Sequence, residues 1–215
     1  MQIEFYGDLV CPWCYIGRER LRRALASRPD LAPTVVWRPF QLNPDMPAGG
    51  MERDRYLALK FGGLQRVRPM LAYLQEAALR DGLPLSLDRM TRTPNSLNAH
   101  RLVLFAERQG RAEAVLDALM AAYFVEGRDI GDTAELRAIA VTAGLDPGAS
   151  AAYLAGSEDA ETVRRTEAQA RQLGVQAVPC FIFAGRYALA GAQEPAAFLP
   201  LIDLMALDQA PVSVS

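Results

Sequence analysis

The feature that most constrains this chain is the segment Cys11-Pro12-Trp13-Cys14, set between a strand pattern and a helix pattern. Upstream, Ile3 and Phe5 alternate with Gln2 and Glu4, the period of a short strand. Downstream, Cys14, Leu21 and Leu25 repeat on one helical face, leaving Arg18, Glu19 and Arg22 free to face water. Thr34–Arg38 (TVVWR) is β-branched and aromatic and reads as a second strand that Pro39 ends. The opening is therefore β-α-β, with Cys11 where the first strand turns into the helix.

Two cysteines at this spacing can be half of a zinc site, a structural disulfide or a redox pair. A structural zinc site needs four ligands, and the chain adds only Cys180 and its single histidine, His100, so no metal is expected. No run of apolar residues is long enough to span a bilayer, and MQIEFYGD lacks the basic start and apolar core of a secretion signal. The expected compartment is the cytoplasm, with no membrane partner; there a CxxC pair is more often catalytic or metal-binding than structural. The net charge of -2 lacks the basic surplus of a nucleic-acid binder, so no polyanion partner is expected.

The middle of the chain is nearly all helix. Arg53–Phe61 breaks at Gly62-Gly63. Val67, Met70, Leu71, Leu74 and Ala78 mark another helix, with Pro69 in its first turn or kinking it. A helix from Ser96 ends near Gly110, and Ala112, Val115, Leu119 and Tyr123 stripe the next. Asp132 with Glu135 forms a capping-box pattern, and Asp146-Pro147 starts a short helix. Ser157 is the expected cap of a helix running to about Leu173. Two short strand runs around Gly185-Arg186 read as a hairpin, Pro195 opens a final helix, and QAPVSVS reads as a loose tail. The predicted class is α/β: a thioredoxin-like fold with a large all-helical insertion. Residues 1–40 and 158–215 form one discontinuous domain and residues 41–157 the helical insertion.

Cys11 is the better nucleophile candidate on physical grounds. It lies at the first helical turn, where unpaired backbone N–H groups and the macrodipole favour an anion. Pro12 suits the first helical position. Cys14, one turn further in, is placed to attack a mixed disulfide on Cys11. Trp13 either shields the thiolate and contacts substrate or packs on the helix start. Pro179, at the start of a strand pattern, removes a ladder donor; Val178-Pro179 is either a cis bond or a trans proline opening an edge strand.

VCPWCYIG, WRPFQLNPDMP, RTPNSLNAHRL and GVQAVPCFIFAGRYALAGAQ, in that order, resemble segments of the DsbA-like oxidoreductases, in particular their FrnE-type branch, over essentially residues 3 to 200. The resemblance implies Cys11 as nucleophile, Cys14 as resolving thiol and Pro179 as a cis-proline beside them. It implies a thiol–disulfide oxidoreductase acting on a protein or small-molecule disulfide or dithiol and recycled by a thiol system. No bound cofactor is expected, though glutathione is a candidate co-substrate; the oligomeric state, monomer or homodimer, is left open. Substrate is expected to border Pro12, Trp13 and Val178, and, from the helical part, Asn95, Asn98 and His100. For His100 the first reading is a satisfied core histidine, with the cleft position as the alternative. Ala177 and Cys180 depart from the pattern, where glycine and a larger apolar residue are usual; Cys180 should point away from Pro179 along the strand and be buried. Two rivals remain. Glutathione-dependent isomerases acting on 2-hydroxychromene-2-carboxylate and kappa-class transferases resemble this layout, but carry serine where Cys11 stands. A non-catalytic holder of unfolded polypeptide is the other.

Overall fold

The computed structural model describes residues 1–207; the QAPVSVS tail lies outside the described residues. The first strand β1 (Gln2–Gly7) leads into α1 (Pro12–Ala26) and returns through β2 (Thr34–Pro39). Late in the chain β5 (Cys180–Phe183) and β6 (Tyr187–Ala190) form a hairpin, followed by α9 (Pro195–Leu207). The four strands make one mixed sheet in the order β2-β1-β5-β6, with β1 and β2 parallel and the other pairs antiparallel. This is the DsbA-like thioredoxin fold expected from the sequence.

Between β2 and β5 the chain runs through α2 (Arg53–Phe61), α3 (Leu64–Arg80), α4 (Leu97–Glu107), α5 (Ala112–Phe124), α6 (Thr133–Thr142), α7 (Pro147–Ala155) and α8 (Ala160–Gln172). It also carries a two-residue ladder that the periodicity does not reveal, β3 (Met51–Glu52) with β4 (Arg92–Thr93).

The strand period separates two cores. Ile3, Phe5, Phe181 and Phe183 point to one face, where they join Leu21, Phe198 and the helical interior around Leu116 and Phe124. Phe5 meets Trp37 edge-on at 4.8 Å and stacks on Phe181 at 4.6 Å. Tyr6 and its register partner Cys180 point to the other face, under α8, with Phe40, Ala170 and Val175. Cys180 is thus buried on the opposite side of the sheet from Phe5.

Several caps follow from the sequence. Gly62 closes α2 in the left-handed conformation, Asp146 accepts from the Ala149 amide with Pro147 behind it, and Asp132 accepts from the amides of Ala134 and Glu135. The capping box is not reciprocal, because the Glu135 carboxylate is taken by Arg128 at 2.6 Å. Pro69 sits well inside α3, on its exposed side.

Two expectations are corrected. Ser157 does not cap α8; the helix starts at Ala160 behind Asp159, a left-handed residue whose carboxylate is engaged by Arg108 and Tyr153. Arg18 does not face water. It is buried and its guanidinium reaches Asp117 and Glu113 of α5 at 2.5 and 2.6 Å. Arg22 joins the same two carboxylates from a more exposed position. Helical periodicity shows which face a residue occupies, not whether another helix covers that face.

Candidate active site

Cys11 is the N-cap of α1, in extended backbone (φ -91°, ψ 112°), and Pro12 occupies the first helical position. The Cys11 carbonyl accepts from the amides of Cys14 and Tyr15 at 3.0 and 3.3 Å. Cys11 is 4% exposed as a residue, Cys14 is fully buried, and all three cysteines are free thiols. The Cys14 thiol lies close to that of Cys11.

The second piece of the site comes from the loop before β5. The Val178–Pro179 peptide bond is cis, and the Val178 carbonyl accepts from the Cys11 thiol at 3.7 Å. Gly17 permits this approach: a Cβ there would lie 3.0 Å from Pro179 Cγ and 3.3 Å from the Phe181 ring. Cys11, Cys14, Val178 and Pro179, separated by more than 160 residues, are therefore brought together.

Above the thiol lies a cleft of about 280 Å³ walled by α2 and α3. Val10, Pro12, Trp13, Val178, Met70 and Leu71 are among its apolar lining. The Trp13 ring reaches across to Tyr73 of α3, 5.7 Å away. Asn95, Asn98 and His100 do not line it. Asn95 bonds the Met46 carbonyl and the Leu97 amide, and Asn98 accepts from Arg101.

His100 is fully buried, between two polar partners. Trp37 Nε1 donates to His100 Nδ1 at 3.3 Å. An indole nitrogen can only donate, so Nδ1 must accept and Nε2 carries the proton. That proton points at Asp8 Oδ1, 3.2 Å away. Asp8 is fully buried as well and also accepts from the amides of Leu42 (2.7 Å) and Val10 (3.4 Å). Its own carbonyl accepts from the Cys11 amide at 3.1 Å. Asp8 thus clamps the turn that presents Cys11 to α4.

The sequence of this chain matches the family described as DSBA-like thioredoxin domain over residues 2–203. The chain belongs to that family.

Among solved structures, this DSBA-like protein is 31% identical to a probable DsbA oxidoreductase from Streptomyces coelicolor, with a TM-score of 0.88, covering 100% of this chain and 94% of the other. Two more distant likenesses concern the fold alone. One is to a 2-hydroxychromene-2-carboxylate isomerase, at 21% identity and a TM-score of 0.70, with both chains fully covered. The other is to the cytosolic disulfide reductase DsbM of Pseudomonas aeruginosa with GSH, at 22% identity, a TM-score of 0.65 and coverage of 97% and 96%.

The electrostatics of the DSBA-like site give one pH prediction. Burial first, and then the hydrogen bond and charge of Cys11, push the Cys14 thiol well above its ordinary range; the Asp8 backbone amide works the other way. The folded chain therefore holds this proton more tightly than the unfolded chain. That contribution to stability is complete below the unfolded thiol value of about 8.5, and is lost as pH rises through the folded value. Burial shifts Cys180 in the same direction. The reduced protein is expected to lose urea stability between about pH 8 and pH 10, and Cys14→Ala to lose less across that interval. Equal losses in the two proteins would remove Cys14 from the account.

The sequence reading misses Asp8, Trp37, Arg53 and Thr93. Asp8 carries a weak signal, an acid set among Gly7, Leu9 and Val10 at a strand end. The other three carry none, because their place beside the site depends on how distant segments meet.

Proposed function

We propose that this protein is a thiol–disulfide oxidoreductase that works through a mixed disulfide on Cys11. The observation that carries the reading is the thiol pair itself: Cys11 at the foot of a cleft and Cys14 buried close behind it, at the start of a helix. The helix N-terminus favours negative charge on the sulfur at its cap. In the reducing direction, the Cys11 thiolate attacks one sulfur of a substrate disulfide. The S–S bond breaks, and the departing sulfur leaves as a thiolate with the bonding pair. Cys14 then gives up its proton and attacks Cys11 Sγ, which releases the second substrate thiolate and leaves the Cys11–Cys14 disulfide. The substrate gains two electrons and, once protonated, two protons; the pair loses both. The reverse sequence oxidises a dithiol.

Pro12, Trp13, Val178 and Pro179 are the residues we assign to the substrate side of the thiols. Residues 1–40 and 158–215 carry the redox pair in this reading, and residues 41–157 supply the facing wall of the cleft. A reducing compartment such as the cytoplasm suits the free thiols, with a thiol system, glutathione among the candidates, restoring the pair after turnover.

A Cys14→Ser variant tests the proposal. Incubated with hydroxyethyl disulfide, it is expected to accumulate an adduct on Cys11 that dithiothreitol removes, whereas the wild type should expel the adduct and end as the intramolecular disulfide. Mass spectra of Cys14→Ser that show no adduct on Cys11 would sink the proposal.

A further inference from the structure

The cleft above Cys11 has a charge character that its chemistry alone does not require. Arg53 and Lys60 line it, and no aspartate or glutamate does. This holds in a chain whose net charge is -2, so the local surplus is not a general property of the protein. Lys60 is shared with the Asn43 carbonyl oxygen at 2.8 Å. Arg53, in contrast, has no carboxylate within ion-pair distance among the described residues. Its guanidinium lies near enough to the buried Tyr123 hydroxyl to pull that phenol down against the larger upward push of burial.

A second observation points the same way. Thr93 also lines this cleft; it is only 3% exposed, and its hydroxyl oxygen is buried. Its neighbour Tyr123 donates to the Arg92 carbonyl at 3.2 Å. The Thr93 oxygen is left close to Tyr123 with no partner in hydrogen-bonding geometry. A buried hydroxyl without a partner is destabilising, so such a group beside a native cleft calls for an occupant. A guanidinium without a carboxylate partner on the wall facing a nucleophilic sulfur, with an unpaired hydroxyl buried beside that wall, fits one chemical group, a carboxylate.

We propose that Arg53 and Thr93 form a carboxylate subsite, and that the substrate of this cleft is a small disulfide carrying a carboxylate near its sulfur. The proposal rests on the redox reading above for the reaction, but not for the binding. Two features favour a small molecule over a folded partner. Cys11 is 4% exposed, at the bottom of the cleft. The cleft, at about 280 Å³, is at the lower end of small-molecule sites. The reaction is the exchange already written: the carboxylate-bearing disulfide takes two electrons and leaves as two thiols, and Cys11 and Cys14 become a disulfide. Arg53 is bound to the spectator carboxylate throughout.

Binding and turnover are tested separately. For binding, the Cys11→Ser protein is titrated calorimetrically with thiodipropionate, a thioether that cannot exchange, and with the diamine bis(aminoethyl) sulfide. The dianion is expected to bind saturably and the diamine not. Adding Arg53→Gln should weaken dianion binding by about 10-fold or more, the scale of a charge-assisted hydrogen bond, and adding Thr93→Val should weaken it less. Arg164→Gln, which removes a surface charge paired with Glu161 on α8, should change nothing. Equal binding of dianion and diamine, or no change with Arg53→Gln, would overturn the subsite whatever the enzyme does. For turnover, the reduced wild type should prefer dithiodipropionate over cystamine through KM, and Arg53→Gln should erase that preference. A cystine-bridged acidic peptide that displaced thiodipropionate at one-tenth of its concentration would overturn the small-molecule assignment. Failure of every disulfide to react, with dianion binding intact, would count against the redox reading and leave the subsite standing.

Discussion

Replacing Cys11 with serine is expected to abolish disulfide exchange with every substrate, and no other single cysteine replacement should do so. The reason is access. Cys14 is fully buried behind Cys11 and cannot meet an external disulfide. Cys180 lies on the opposite face of the sheet, in the small cluster with Tyr6 and Phe40. Only Cys11 combines the cleft with the N-terminal end of α1, where the anion is favoured. A serine hydroxyl in that place does not ionise near neutral pH, so the attacking species is lost rather than weakened. The same asymmetry governs alkylation. Iodoacetamide at neutral pH should label Cys11 first in the reduced protein, and Cys11→Ser should leave no fast-reacting thiol. Retained exchange in Cys11→Ser, or Cys180 labelled ahead of Cys11, would assign the chemistry to the wrong sulfur. The variant also separates the rival chemistry: a Cys11→Ser protein that isomerised 2-hydroxychromene-2-carboxylate with glutathione would move the protein to the isomerase reading. A Cys11→Ser, Cys14→Ser protein that kept its full role in the cell would instead favour a non-catalytic holder.

What could be read from the sequence is what local periodicity and backbone chemistry encode. The alternation of Ile3 and Phe5 against Glu4 gives β1, and the proline after Cys11 gives the first turn of α1. The left-handed glycine after Phe61 ends α2, and the inward–outward alternation from Pro179 turns Cys180 away from it into a buried position. Each of these depends on neighbours within a turn or two. Polar burial does not. Arg18 reads as a solvated helix residue until Glu113 and Asp117, nearly a hundred positions away, close over it. His100 reads as a core histidine with the cleft as its alternative, but its partner Asp8, 92 positions earlier, is seen only in the fold. The facing wall of the cleft is hidden for the same reason. Arg53 and Lys60 are legible as residues of an amphipathic helix, but nothing near them in the sequence says that their side faces Cys11. The redox half of the site is therefore a local signal, and the selecting half a product of tertiary packing.

Asp8→Leu is expected to cost much of the protein's stability, and the further cost of adding His100→Leu should be well below that of His100→Leu alone. The Asp8 carboxylate accepts from three donors: the half-buried Leu42 amide and the buried Val10 amide and His100 Nε2. Leucine has a similar volume and offers none of these bonds. Each buried donor left unpaired costs about 1–3 kcal/mol. The Val10 contact, at 3.4 Å, is the weakest of the three, so a total of about 3–5 kcal/mol is expected. Domains of this kind have only about 5–15 kcal/mol in hand, so the variant should be marginal at physiological temperature. Removing both partners of a buried polar pair is far less harmful than removing one, because no group is then left stranded. His100→Leu in the Asp8→Leu background removes the ring N–H that lost its acceptor, although the Leu42 and Val10 amides stay unpaired and the Trp37 Nε1–H loses its own acceptor. The double variant should therefore be destabilised by less than the sum of the two single variants, with a coupling of about 1–3 kcal/mol in a urea-denaturation cycle. Strictly additive losses, or an Asp8→Leu cost below about 1 kcal/mol, would show that the dyad holds nothing. The consequence reaches the thiols because the Asp8 carbonyl anchors the Cys11 amide. A strand-end acid and a histidine from the helical segment together fix the turn on which the nucleophile sits, so loosening the dyad should also raise the rate at which Cys14 is alkylated in the reduced protein.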